Sequence, residues 1–409
     1  MAAKYRRLKL ACYATNLCMS VSGNLSPLLF ITFRTLYGIS FTQMGLLVLI
    51  NFVTQLTVDL IFSFFSHRFN IPKMTKATPV LTATGLLVYA LWPFVFPNAV
   101  YTGLVISTMI FSAASGFGEV LINPVITSIP ADDPDRELSK LHSVYAWGIV
   151  GMIVVGTLFL LAFGSANWQW LPLLLMLVPI ATIILYHGCE IPDSETPERV
   201  SGALQLLRHR SLWLCVAAIF LGGASECTMS QWCSGFLEQA LNIPKVWGDL
   251  FGVAMFSVML GMGRSLYGKF GKNAVRVLVL GSAGAVCCYL TAALSGSAVI
   301  GLLACALTGL CTSMLWPGSL VAASEHFPTG GVFFFAMMAS GGDLGASVGP
   351  QLVGMITDAV IAAPGMVETA ASMGLSPEQF GMKLGMLAGA LFPLMAIPVY
   401  LRLGRKKPT

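Results

Sequence analysis

The sequence predicts an all-α membrane protein of twelve transmembrane helices in two pseudo-symmetric six-helix bundles, and three observations predict it. Of 409 residues, 56% are hydrophobic and only 10% charged, against about 25% charged in an average soluble domain. The apolar runs are continuous over about 20 residues, the length of a helix that crosses a bilayer, whereas barrel strands alternate in segments of about ten. Landmarks of the first half also recur in the second. An offset of about 193 residues lays Asn123-Pro124 on Trp316-Pro317 and Gly148 on Gly342, and one of about 201 lays HisArgPheAsn at 67–70 on GlyLysPheGly at 268–271.

Hydropathy places the spans at about 8–33, 41–66, 75–96, 99–129, 138–164, 169–189, 211–238, 247–268, 274–295, 298–325, 331–361 and 379–403. The first follows the basic stretch MAAKYRRLKL and reads as an uncleaved helix, because no small-residue cleavage site interrupts it before Asn24. The sixth and seventh are separated by the longest polar, proline-containing connection. Residues 1–189 are therefore expected to form an N-terminal bundle, 190–210 a cytoplasmic linker and 211–409 a C-terminal bundle.

Charge placement gives the orientation. With both termini cytoplasmic, 20 of the 23 Lys and Arg fall on inner segments, leaving Arg34, Lys245 and Lys383 outside. The expected location is the cell membrane, crossed many times. A formal net charge of +5 gives nucleic-acid binding no support. The ten cysteines sit mostly inside apolar runs, with neither C-x-x-C nor zinc spacing, and read as small buried residues. No cofactor motif, phosphate loop, H-E-x-x-H or G-x-S-x-G is present, so an enzyme is not expected.

Ionisable residues well inside the spans carry the functional argument, because a charge in hydrocarbon costs a few kcal/mol and normally faces a bundle interior or a watery cavity. They are Asp59, Glu119, Glu226, Arg264 and Asp343. At about 1.5 Å per residue, Glu119, Glu226 and Asp343 fall near the bilayer middle, and these three are the candidates for proton coupling. Glu119 leads them. Asn123 shares its helical face one turn on, Pro124 removes a backbone donor there, and Gly116 and Gly118 admit a close neighbour. The competing account for each acid is a structural hydrogen bond to a neighbouring helix.

Glu226 is followed by Gln231 and Trp232, a carboxylate with an indole platform of the kind a sugar ring favours. Asp343 lies in a glycine-dense span and either pairs with Arg264 or titrates alone. Asp59 and Arg264, nearer the cytoplasmic side, are expected to be gating or structural residues, Asp59 alternatively clamping a neighbouring helix, and Arg68 is a further gating candidate. Asn24, Gln55, Asn123, Tyr145, Trp147 and Trp316 complete the candidate solute-binding set, the aromatics having packing as their plainer explanation.

These residues also carry a resemblance. Glu119-x-x-x-Asn123-Pro124 resembles the fourth-helix E-x-x-x-N-P of the fucose permease branch of the major facilitator superfamily. Gly223-Ala224-Ser225-Glu226 with Trp232 resembles its seventh helix, and Trp316-Pro317 stands where the branch has an aromatic-proline pair. The resemblance extends over the whole chain and implies that fold, a role for Glu119 in solute binding and proton linkage, and a place near a sugar path for Glu226 and Trp232. The chain departs from the branch at Asn24-Leu25-Ser26-Pro27, where the fucose transporter carries an acid, and at 63–70, which lacks the superfamily's Asp and glycines.

The expected function is secondary active transport of a small polar solute, a sugar or related compound, by alternating access with the solute held between the bundles. Proton symport is the expected coupling, with another cation as its alternative. The expected partners are the solute, protons and the bilayer, and the expected state is a monomer. Two rivals are a multidrug and proton antiporter of the same fold and a non-transporting membrane sensor. The fifth span lacks the antiporter's Gly-Pro pair, and no soluble signalling domain is visible.

Overall fold

Runs of leucine, valine and phenylalanine make the helices, and proline, glycine and asparagine set where they break. A computed structural model describes residues 2–65, 68–129, 134–192, 207–270, 273–327 and 331–405. The middle of the expected linker, 193–206, lies outside them, as do His67 and the side chains of Pro124 and His142. Among the described residues the regular structure is helical throughout, with no strand.

The first half holds α1 (Ala2–Tyr37), α2 (Phe41–Phe65), α3 (Ile71–Val95), α4 (Val100–Ser128), α5 (Pro134–Phe163), α6 (Trp170–Leu175) and α7 (Leu177–Tyr186). The second half begins with α8 (Arg210–Leu241), followed by a helical turn, Lys245–Trp247, and a π-helical turn, Gly248–Ala254. Then come α9 (Met255–Phe270), α10 (Ala274–Leu294), α11 (Ala298–Thr312), α12 (Pro317–Ser324), α13 (Gly331–Ala362), α14 (Pro364–Ser372), α15 (Pro377–Gly389) and α16 (Leu391–Leu403). Eleven helical segments of the described residues are long and apolar enough to cross a membrane, and Trp170–Tyr186 is a shorter apolar helix.

Three expected spans are interrupted for one physical reason. Pro179, Pro317 and Pro393 have no backbone N–H to give to the preceding turn, and the helix breaks just ahead of each, at Met176, Ser313–Trp316 and Ala390. Helix α14 lies outside every expected span. Pro364 opens it, and Gly374, at φ +70°, lets the chain reverse so that the Leu375 N–H reaches the Ala370 carbonyl at 3.0 Å.

The chain divides into two compact units, Met1–Thr32 with Val53–Val200 and Phe33–Phe52 with Ser201–Thr409. In the first unit, two fully buried tyrosines clasp α1. Tyr89 of α3 hydrogen-bonds Ser26 Oγ at 2.9 Å, and Tyr186 of α7 hydrogen-bonds Thr15 Oγ1 at 3.0 Å. The second unit repeats the device on α8. Tyr289 of α10 donates to the Ser225 carbonyl at 2.8 Å and Tyr400 of α16 to the Ala218 carbonyl at 3.1 Å. Such interhelical bonds are worth about 0.6 to 2 kcal/mol each in a bilayer. The caps repeat too: Asn70 accepts from the Lys73 N–H at the start of α3, and Asn273 from the Arg276 N–H at the start of α10, both at 3.0 Å.

Within the second unit, the segment 33–52 is anchored by charge. Asp358 of α13 accepts from the Phe41 N–H at 3.1 Å and the Thr42 N–H at 2.6 Å, satisfying donors that α2 cannot satisfy itself. Arg34 pairs with Glu378 at 3.3 Å while its guanidinium lies 4.2 Å from the Phe41 ring centroid.

Candidate functional site: two polar clusters in apolar helices

The first cluster belongs to the first unit and begins with Gly116. A Cβ there would stand 2.9 Å from the Val58 Cβ and 3.2 Å from the Gln55 carbonyl, so α4 touches α2 through a position that only hydrogen can occupy. The turn of contact carries both acids of this unit. Asp59, next to Val58, is 6% exposed and its Oδ1 meets no donor among the described residues. Glu119, one turn beyond Gly116, is half-buried and interacts electrostatically with Asp59, like charge against like. Asp59 is therefore within electrostatic reach of Glu119. Arg68 itself is exposed, 5.5 Å from the centroid of the Phe65 ring.

The other residues expected in this unit are placed less favourably. Asn123 and Asn24 both turn their amides onto their own helices, donating to the Glu119 carbonyl at 3.1 Å and the Ser20 carbonyl at 2.9 Å. Gln55 is half-buried on the α2 side of the Gly116 contact, and the Tyr145 hydroxyl of α5 faces Gly23 of α1. Trp147 is 69% exposed, so it is not packed inside the unit.

The second cluster belongs to the second unit and is built around Trp316, at the break between α11 and α12. Its ring lies in a slot between two glycines: a Cβ on Gly223 of α8 would come 3.0 Å from it, and one on Gly342 of α13 would come 2.6 Å from it. Each glycine brings an acid with it. Glu226 is one turn beyond Gly223, and Asp343, 4% exposed, follows Gly342 directly. Cys227 lies within electrostatic reach of both carboxyl groups.

Arg264 of α9 gives its Nη2 to both oxygens of Glu226, at 3.3 and 3.4 Å, and its Nε to the Ser313 carbonyl at 3.1 Å. The Ser313 carbonyl is available because the helix breaks there ahead of Pro317. The carboxylate that Arg264 reaches is Glu226, one helix over, where pairing with Asp343 was one of two alternatives. The pair is not sealed from its surroundings, since the Arg264 side chain is 41% exposed against 14% for Glu226.

Trp232 lies deeper than Trp316. It is fully buried, its indole N–H donates to the Pro350 carbonyl at 2.8 Å, and its ring centroid lies 6.0 Å from that of Phe41. Trp316, by contrast, is half-buried. Gln231 is 7% exposed on the same helix.

One ionic group escaped the sequence reading. Ser234 donates to Asp249 at 2.5 Å, and Lys245 reaches Asp249 at 3.1 Å and Ser234 at 2.9 Å, with Asp249 fully buried at the π-helical turn. The i, i+4 spacing of Lys245 and Asp249 was the readable signal. Among the described residues no group of three or more His, Cys, Asp or Glu side chains could hold a metal ion.

Membrane-crossing helices with charged residues at their inward contacts define a polytopic transport protein as the class. The chain belongs to the Major Facilitator Superfamily, whose family model matches residues 11–350. It is 24% identical over 333 residues to membrane protein MosC of Rhizobium meliloti, covering 80% of this chain and 78% of that one. Among solved structures it superposes on the nucleoside transporter NupG with a TM-score of 0.71 at 11% identity, over 100% of both chains. On the E. coli fucose:proton symporter it superposes with a TM-score of 0.60 at 16% identity, over 98% of this chain and 100% of that one. The expected superfamily fold is thereby met, and the chain is a transporter of small molecules embedded in a membrane.

Proposed function

We propose that the protein moves a small polyhydroxylated solute, a sugar or a related compound with a ring and several hydroxyls, across the cell membrane together with protons. One observation supports this above the others: a half-buried indole, Trp316, lies against Gly223 and Gly342, with Glu226 one turn beyond the first glycine and paired with Arg264, and Asp343 next in sequence to the second. An aromatic face with donors and acceptors at its rim suits the apolar face and hydroxyl edge of a sugar ring. Glu226 accepts hydroxyl protons, Arg264 donates, and Trp316 stacks. Two of the structures that the chain resembles are a nucleoside transporter and a fucose:proton symporter, whose organic solutes have this chemistry.

Protons enter through the acids. A carboxyl group shielded from water can hold a proton at physiological pH, and holding or releasing it changes which conformation is favoured. Both termini are assigned to the cytoplasm by the positive-inside rule.

The test is uptake into proteoliposomes of a labelled panel of hexoses, pentoses and nucleosides under an imposed pH gradient. The expected result is accumulation of one class, driven by an inward proton gradient and weakened about tenfold in KM by Trp316→Ala, a loss of about 1.4 kcal/mol of binding. Efflux of cationic dyes with no uptake of any panel member would contradict the proposal and favour an exporter.

A further inference from the structure

The second unit has a cavity away from the Trp316 cluster, at the end where α10 begins and α12 and α16 finish. Glycines bring these helices together. A Cβ on Gly404, just past α16, would come 2.7 Å from Val275, and one on Gly318 of α12 would come 3.2 Å from Leu278, so both helices lie close against α10. Between their ends remains a space of about 510 Å³, within the range of about 300–1,000 Å³ usual for small-ligand sites.

The lining divides by chemistry. On the apolar side are Val279, Leu280 and Leu401, of which Leu280 is 62% and Leu401 50% exposed. Apolar side chains so exposed on a membrane-crossing helix meet lipid chains. On the polar side are Asn273, Arg276, Glu325 and His326. Asn273 Oδ1 accepts the Arg276 N–H at 3.0 Å, which leaves the amide nitrogen of Asn273 as a donor. His326 Nδ1 lies 3.1 Å from the Ala322 carbonyl, and a carbonyl only accepts, so Nδ1 carries the hydrogen and Nε2 stays available. Arg276 and Glu325 are both exposed, and among the described residues neither side chain has a partner. A cation and an anion thus border one space without neutralising each other.

We propose that this cavity holds the headgroup of a zwitterionic aminophospholipid, with its phosphate on Arg276 and the Asn273 amide, its primary ammonium on Glu325, and an acyl chain along Leu280 and Leu401. Lys and Arg placement puts this end of the helices at the cytoplasmic face, where headgroups lie. A guanidinium and a phosphate make charge-assisted hydrogen bonds, and an ammonium and a carboxylate do the same. A purely anionic headgroup would leave Glu325 unmatched, and a quaternary ammonium has no N–H to give it. A soluble zwitterion would leave Leu280 and Leu401 uncovered. The site needs neither solute nor proton gradient, so it stands or falls apart from the transport reading.

The experiment is native mass spectrometry of the delipidated full-length protein in detergent, titrated with phosphatidylethanolamine, phosphatidylcholine or phosphatidylglycerol of identical acyl chains. The expected result is one phosphatidylethanolamine bound about fivefold more tightly than either other lipid, the effect of roughly one charge-assisted hydrogen bond at a partly solvated site. Glu325→Gln should abolish the preference over phosphatidylcholine, and Arg276→Gln should weaken both lipids alike. Glycerophosphoethanolamine, the same headgroup without chains, should fail to compete when in excess. Equal binding of the three lipids by the wild type overturns the proposal without requiring any variant to fold. Tightest binding of phosphatidylglycerol overturns the headgroup assignment in favour of an anionic lipid drawn by Arg276, Arg402 and Arg405. A preference unchanged in both variants overturns the location, and effective competition by glycerophosphoethanolamine overturns the lipid in favour of a soluble ligand.

Discussion

Gly116 of α4 lies against Val58 of α2, so closely that an added Cβ would also stand 3.2 Å from the Gln55 carbonyl. The closeness of that contact is itself testable. Gly116→Val places two methyl groups where even a Cβ is already 2.9 Å from the Val58 Cβ. Overpacking of this kind costs about 1–3 kcal/mol. Thermal unfolding of the purified protein should rank wild type above Gly116→Ala and Gly116→Ala above Gly116→Val. Equal stability of the three would mean that α2 and α4 are not in contact there.

The two tryptophans of the second unit should behave differently. Trp232→Ala removes a fully buried ring and a hydrogen bond to Pro350, with an expected stability loss of about 3–5 kcal/mol. Trp316→Ala should change the KM for solute more than the melting temperature. Melting curves and uptake on the same two variants check this, and the reverse pattern would exchange their roles.

Removing Arg264 leaves Glu226 without its cation, while removing both charges does not. Arg264→Ala should cost about 1–3 kcal/mol, discounted because the guanidinium is partly solvated. The double variant Arg264→Met with Glu226→Leu should recover much of that stability and none of the uptake. Chemical unfolding and uptake together measure both. Recovered uptake would show that the pair serves packing alone.

Asp358 fixes the start of α2 through the Phe41 and Thr42 N–H groups. Asp358→Ala removes a charged cap and should cost about 1–2 kcal/mol, with Asp358→Asn losing less. Faster amide exchange at residues 41–44 in Asp358→Ala would report the freed donors. Unchanged exchange would mean that the cap contributes nothing.

The fold was legible because hydrocarbon imposes a strong rule: apolar runs of fixed length must be helices. What the runs could not reveal was how proline divides them, as at Met176 and Ala390, or that Pro364 and Gly374 bracket an extra helix between spans. Asn70 and Asn273 and the tyrosine pairs Tyr89, Tyr186 and Tyr289, Tyr400 mark the repeated architecture more firmly than the short sequence matches did. Those residues look ordinary in sequence, because a cap or a hydroxyl bond depends on what lies across the contact.

The candidate site was half legible. Charged residues in apolar spans stand out, so Glu119, Glu226, Asp343, Asp59 and Arg264 were legible as candidates. Their partners were not, since helix rotation and neighbour identity decide pairing and neither is written in spacing along one chain. Hence nothing along the chain pairs Arg264 with Glu226 or sends the Trp232 indole N–H to the Pro350 carbonyl.

The central claim is that protonation of Glu119 drives solute accumulation. The most direct measurement compares wild type with Glu119→Gln in proteoliposomes, using whichever panel sugar or nucleoside the wild type accumulates. Glu119→Gln is expected to keep equilibrium exchange of that solute while losing its accumulation under a proton gradient. Accumulation at the wild-type level in Glu119→Gln would contradict the account.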